Sequence, residues 1–477
     1  MTSVTRRAAL VGGGATIPFA QWYASQSWAR APFVRKDLST PAGQADLAKY
    51  AKAVKIMSGL AEANPRGWMF QWYIHAVRGD RTKAAELARV YPAPSPQRTL
   101  AQASWSTCQA HSAGTVENYF LPWHRMYVFF LEAICRKLLQ DNSFVLPYWR
   151  YTQPNQRALP VAFRQQASPQ WGTLYRPNRN PGINNGVPID QGLNPTPINT
   201  LSLNQTSYVP AAGQQGFCLN IDANLHGSVH VRVGNGQGMG SVPWAANDPI
   251  FWMHHCNIDR MWASWNRNGG CNPTDATWLN KTFTFPDANG NSVVAKIGDF
   301  KSIGALGYTY DVFEPGPRIG GCLPFVLNVR DLPLLAVQRR PFKLDPGGPV
   351  EIKLEATSAE AMRGNPKNLG ITKRTGRTLL VIDGLQAKVQ PGVLYEVGVK
   401  DAAGKTTVVG HLNFFDAVSA EHGDHGDHGG AMPEKFFAFD VTRYIKKGEQ
   451  PTVVLRPDGK ADAQADAVVT GFSLVQD

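Results

Sequence analysis

The chain has 477 residues, of which 43% are apolar and 18% charged, with 45 Gly and 34 Pro. At roughly 150 residues per domain this suffices for two or three domains, and it excludes a disordered, collagen-like or disulfide-stapled miniprotein chain. The net charge of +12 resides in the first two-thirds, since residues 1–340 carry 32 Lys+Arg against 18 Asp+Glu and residues 341–477 carry 16 against 18. No run of Lys or Arg exceeds two, so no nucleic-acid stripe is expected. No membrane span is expected either, because no uninterrupted apolar stretch reaches about 18 residues.

Taken in chain order, the first feature is Thr5-Arg6-Arg7-Ala8-Ala9-Leu10, then a short apolar run to Ala20 and a small-x-small pattern at Ala29-Arg30-Ala31. Residues 1–31 read as a twin-arginine export signal, which predicts an exported, periplasmic or secreted protein that travels folded. Residues 44–62 place apolar side chains at 47, 50, 51, 54 and 57, the spacing of an amphipathic helix. A second helix is predicted from Pro122 to Leu139, with Pro in its first turn and basic residues near its end. Asp248-Pro249 caps a third, running through Trp265, while the Asn/Gln/Pro/Gly-rich stretch 150–216 predicts long loops.

After about residue 340 the texture changes to short alternating runs such as Val350–Glu355, Thr378–Ile382 and Pro451–Arg456, separated by Gly, Pro and Asp. This predicts a β-sandwich. The expected class is α + β multidomain: a mainly helical domain over 33–310, a linker over 311–340 and a β-sandwich over 341–477.

The 11 histidines carry most of the functional information. Seven lie between 75 and 255, and His226 and His230, four apart, fall on one face of a helix. Glu is absent from 133 to 313 and no Glu-x-x-His pair occurs, which argues against a carboxylate di-iron bundle. An all-histidine site suits copper or zinc. The six cysteines form no CxxC, leaving one or two disulfides open. The run His422, His425, His428 on Gly-rich chain reads as a solvated loop or as a transient copper-capturing one.

Two longer motifs go further. Phe120-Leu121-Pro122-Trp123-His124-Arg125 and Asp248-Pro249-Ile250-Phe251-Trp252-Met253-His254-His255, continuing to Asp259, resemble the two copper motifs of tyrosinases, catechol oxidases and molluscan hemocyanins. The block around Asp275 to Asp287 and the segment Tyr308-Thr309-Tyr310 are similar to plant polyphenol oxidases. Leu394–Asp401 with Gly410-His411-Leu412-Asn413-Phe414 resembles their C-terminal shielding domain.

The resemblance implies a four-helix bundle holding two copper ions. His75, His111 and His124 match the first copper's ligands, and His226, His230 and His255 the second's. The family spacing of three residues before Asp259 selects His255, which leaves His254 as a packed or supporting histidine. His111 to Phe120 is longer than the family pattern, Ser112–Glu117 looking like an insertion. Cys108, three residues before His111, matches the family's thioether cysteine imperfectly and is equally readable as a buried free or disulfide cysteine.

The implied activity is oxidation of o-diphenols to o-quinones by O₂. Phe251, Trp252 and Trp123 would wall the site. Rivals are a hemocyanin-like O₂ carrier, a tyrosinase with strong monophenol hydroxylation, and a zinc hydrolase, for which no carboxylate base is evident. Val242-Pro243 falls where relatives set a gate, and Val leaves more room there than the Phe common in plant enzymes. In hydroxylating relatives a Glu and an Asn after the second site's first histidine hold a water. Gly227 stands at the Asn position, and Asp222 reads more readily as a helix cap than as a replacement for the Glu. Slow monophenol use is therefore expected, along with partial latency from the C-terminal domain. Phenols and O₂ are the expected partners.

Overall fold

The structure, a computed structural model, describes residues 16–26, 33–109, 118–210, 215–320, 332–356, 376–401, 403–418, 436–445 and 451–476. His111, the histidine run 422–428, the twin arginines and the small-x-small pattern lie outside the described residues.

Helix Pro41–Ser58 starts where Thr40 accepts a hydrogen bond from the Gly43 amide, with Pro41 opening its first turn. It buries Leu47, Tyr50, Ala51, Val54 and Met57, the five positions its spacing selects. Helix Phe120–Leu139 begins two residues earlier than expected and is buried on every face as far as Arg136. Helix Pro41–Ser58 and helix Ile250–Arg267 both pack against it. Asp248 accepts from the Ile250 amide at 3.2 Å and is clamped by the buried Arg179, so it anchors the chain just ahead of the helix, whose cap position is Pro249 rather than Asp248. Between 150 and 216 the described residues form only short 3₁₀ turns and loops.

Charges buried among these helices are paired, as burial requires. Arg35 Nε lies 3.0 Å from Glu132, and Asp259 is held by Arg35, Arg125, Tyr308 and Tyr310. This network fastens strand Phe33–Arg35, paired in parallel with Tyr308–Tyr310, to both central helices.

Residues 16–26, the described part of the expected export signal, pack on the helical part. Ile17-Pro18 pair with Val293-Val294, and Phe19 and Trp22 of helix Phe19–Ala24 are buried against Phe129, Phe130 and Phe300. Two aromatic side chains are enough to dock this short segment on an apolar face.

The C-terminal part consists of two antiparallel sheets. One runs in the order Phe436–Asp440, Thr378–Gln386, Val468–Gln476, Leu334–Gln338, Glu355–Ala356; the other runs Thr406–Leu412, Tyr395–Lys400, Thr452–Pro457, Val350–Lys353. Ile382, Val397, Leu455 and Phe472 belong to their common core. Leu334–Gln338 falls inside the segment expected as linker, so the sheet starts before 341.

The two parts interlock. Leu219 and Ala223 of the helical part belong to the β core, while Leu394 and Phe415 of the β part belong to the helical core.

Candidate metal centre

His226 and His230 sit on a continuous helical stretch, Phe217–Val233, whose middle turn, Asp222–His226, is a wider π turn. Helix Ile250–Arg267 brings His254 and His255 against them. Each of the four buried imidazoles offers a nitrogen within 4.8 Å of the others'. A second group joins His75, the last residue of helix Trp68–His75, to His124 of the central helix and to Cys108.

The outer nitrogens are fixed by acceptors. His75 Nδ1 lies 3.0 Å from the Val242 carbonyl, His124 Nδ1 2.8 Å from that of Phe120, and His230 Nδ1 2.7 Å from that of Met239. A carbonyl only accepts, so Nδ1 carries the proton and Nε2 keeps its lone pair. His226 Nδ1 lies 2.8 Å from Asp222 Oδ1, a close electrostatic contact without hydrogen-bond alignment. One segment, Met239 to Val242, thus orients a histidine from each group. Val242 is buried and its backbone is tied to His75, while the Pro243 carbonyl accepts from Trp72 Nε1 at 2.8 Å.

Burial holds His124, His230, His254 and His255 neutral. It pushes His124 down to about 3, helped by His226, and pushes His230, His254 and His255 well below the usual histidine range. Neutral imidazole is the metal-binding form. Among the described residues, Nε2 of His226, His230, His254 and His255 is buried without a hydrogen-bond partner. Buried polar atoms in folded proteins are as a rule satisfied, and four imidazole nitrogens converging in this way fit a cation of imidazole preference such as copper.

One detail departs from expectation and two add to it. Asp222 does not cap a helix: the helix begins at Phe217, and Asp222, fully inside it, lies beside His226. His254 lies within the cluster, with its Nδ1 2.8 Å from the Tyr151 hydroxyl. Cys108 Sγ lies 3.6 Å from His124 Nε2, and burial, followed by the charges of Asp416 and Asp222, pushes its thiol well up. It forms no disulfide, whereas Cys271 does.

Phe120, Trp123 and Phe251 line the histidines, with Phe251 4.2 Å from His255 between ring centroids. Sequence reasoning did not find Phe415. Its ring, delivered by the β part, lies 4.1 Å from that of His230 at 15° between planes, and 5.5 Å from that of His226. The neighbouring motif placed this stretch in the shielding domain, but only the fold shows which side chain enters the site.

The common central domain of tyrosinase matches residues 65–194 and 171–268, and the polyphenol oxidase middle domain matches 272–319. Tyrosinase HcTyr1 of Hahella sp. (strain CCB-MM4) is 28% identical over 466 residues, covering 90% of this chain and 96% of that protein. Aureusidin synthase of Antirrhinum majus is 30% identical over 316 residues, covering 58% of this chain and 52% of that protein. The chain thus spans about half the length of that plant relative. The structure of latent apple tyrosinase superposes with a TM-score of 0.61 at 21% identity, covering 96% of this chain and 99% of that one.

Proposed function

The chain belongs to the tyrosinase and polyphenol oxidase family of copper enzymes, and from that premise we propose that it oxidises o-diphenols to o-quinones while O₂ is reduced to water. The observation that carries this reading is, among the described residues, the convergence of buried, unpartnered Nε2 atoms of His226, His230 and His255 beside His75 and His124, with the outer nitrogens of His75, His124 and His230 fixed by carbonyls. We assign the first copper to His75, His111 and His124 and the second to His226, His230 and His255.

When bound, the copper pair supplies O₂ binding and the joint two-electron chemistry that neither ion performs alone. The chain's own residues do the rest. The carbonyls of Phe120, Val242 and Met239 fix ring orientation, and Phe120, Trp123 and Phe251 exclude water from the cluster. Val242 and Pro243 form the gate beside it, and Gly227 borders its second half.

Diphenols should outpace monophenols. Hydroxylation needs the phenol deprotonated at the site, yet Gly227 has no side chain to hold a water and Asp222 is engaged with His226. We further propose partial latency, because Phe415 rests on His230 where a substrate ring would lie. Export by the twin-arginine route rests on Arg6-Arg7 and Ala29-Arg30-Ala31, and mass spectrometry of the exported protein's N-terminus tests it.

The deciding experiment is oxygen uptake with catechol on metal-analysed protein, in which two quinones should form per O₂ with two coppers per chain. Reversible O₂ binding without quinone would instead indicate a carrier, and zinc as the native metal would end the reading.

A further inference from the structure

The β part seats on the second histidine group through a glycine. Gly227 follows His226 in the helix, and the fully buried Asn413, two residues before Phe415, lies directly over it. A Cβ at 227 would stand 2.6 Å from Asn413 Oδ1, 2.9 Å from Nδ2 and 3.0 Å from Cγ. These distances are shorter than van der Waals contact allows, and they involve the root of the amide as well as its tip. Nor is the amide free to swing away, since Nδ2 donates to the Ala223 carbonyl at 2.7 Å. Around this contact, Arg232 Nη1 meets Asp458 at 2.7 Å and Gln215 Nε2 donates to the Phe436 carbonyl at 2.7 Å.

We propose that the bare backbone at Gly227 is the socket for Asn413, and that this fit sets how firmly Phe415 closes over His230. The inference rests on the reading that the β part covers the site. Asn413 and Phe415 share one short segment, so an obstacle under the first lifts the second. Residue 227 therefore has two roles: it borders the reacting cluster, and it decides access to that cluster. A side chain there cannot be accommodated locally in a close-packed interface, and the strain is relieved by opening.

The test uses the copper-loaded full chain and scores each variant as its untreated catechol turnover divided by its own turnover after mild-detergent activation, so that direct effects on chemistry cancel. Gly227→Ala should raise this ratio roughly tenfold, the shift produced by about 1.4 kcal/mol of overpacking. Adding Asn413→Ala to Gly227→Ala makes room again and should lower the ratio, although Asn413→Ala alone, which loses the bond to Ala223, does not lower it. Asn413→Gln enlarges the other half of the fit and should raise the ratio even if Gly227→Ala fails to fold. An unchanged ratio in both enlarged variants, or a rise with Asn413→Ala in both backgrounds, overturns the socket. If the wild type is not activated by detergent and Phe415→Ala has no effect, the covering itself is refuted and the socket with it. An activatable wild type with unmoved Gly227→Ala and Asn413→Gln refutes the socket alone.

Discussion

The imidazoles of His124 and His255 lie face to face, with ring centroids 4.2 Å apart and planes 7° from parallel. The two histidine groups are therefore one continuous cluster, and His255 stands at their junction.

Replacing His255 should accordingly do more damage than replacing its neighbour. His255→Ala is expected to lose copper and abolish catechol oxidation, while His254→Ala keeps two coppers and only slows turnover, because the Tyr151 hydroxyl, unlike a carbonyl, donates to its outer nitrogen and leaves the proton on Nε2. Both variants should stay folded, since the helices are held by apolar packing and by the Asp259 network. Elemental analysis decides; the reverse pattern would make His254 the ligand.

Asp222 should prove a positioning residue. Asp222→Asn lets the Nδ1 proton of His226 go unclaimed by a charge, and losses of supporting partners of this kind cost roughly 10- to 100-fold in metal affinity or activity. The expected result is weaker copper retention against a chelator, with unchanged thermal unfolding of the metal-free protein.

Monophenol use should be slow and follow a lag. Gly227→Asn is expected to narrow the gap between tyramine and catechol turnover, but Asn413 fills that space in the full chain. The comparison therefore belongs in protein trimmed between the Ile319 anchor and strand Leu334–Gln338. Equal rates on the two phenols before any substitution would contradict the expectation.

Latency should yield to removal of one ring. Phe415→Ala is expected to raise untreated catechol turnover while leaving detergent-activated turnover alone. The basic helical part and the slightly acidic β part also predict looser closure at high salt.

Glu314 gives a pH-dependent term. Burial alone would raise its carboxyl, but Arg150, Arg260 and Thr152 outweigh this and bring it to about 2, from an ordinary 4.5. A depressed carboxyl stabilises the fold above its unfolded value, and the contribution is lost as pH falls through the folded one. Glu314→Gln should therefore lower the melting temperature above pH 4.5, with the deficit shrinking toward pH 2. A deficit independent of pH would refute this.

Much of the site was legible because its chemistry is written in local order. The spacing of His226 and His230 and the blocks around His124 and His255 need no tertiary knowledge, and the same holds for the apolar positions of helix Pro41–Ser58. What depended on distant chain was not legible. Asp222 read as a cap because the helix start at Phe217 carries no capping side chain. The meeting of Asn413 with Gly227 joins residues 186 positions apart, and no periodicity encodes it. Leu334–Gln338 was read as linker because a single short strand becomes recognisable only through its pairing with Val468–Gln476.

The clasp of Tyr308 and Tyr310 on Asp259 has a consequence for how opening ends. Past it, the chain stays anchored through Glu314 and as far as Ile319, whose amide donates to the Asn268 carbonyl at 2.8 Å. The next strand of the β part begins at Leu334. Even fully extended, so short a connection reaches only about 50 Å, which keeps a lifted cover at an effective concentration on the order of millimolar. A cover opened by detergent should thus rebind once the detergent is diluted away, whereas one freed by a cut in the connection drifts off to the bulk concentration. Permanence of activation is then a property of the tether.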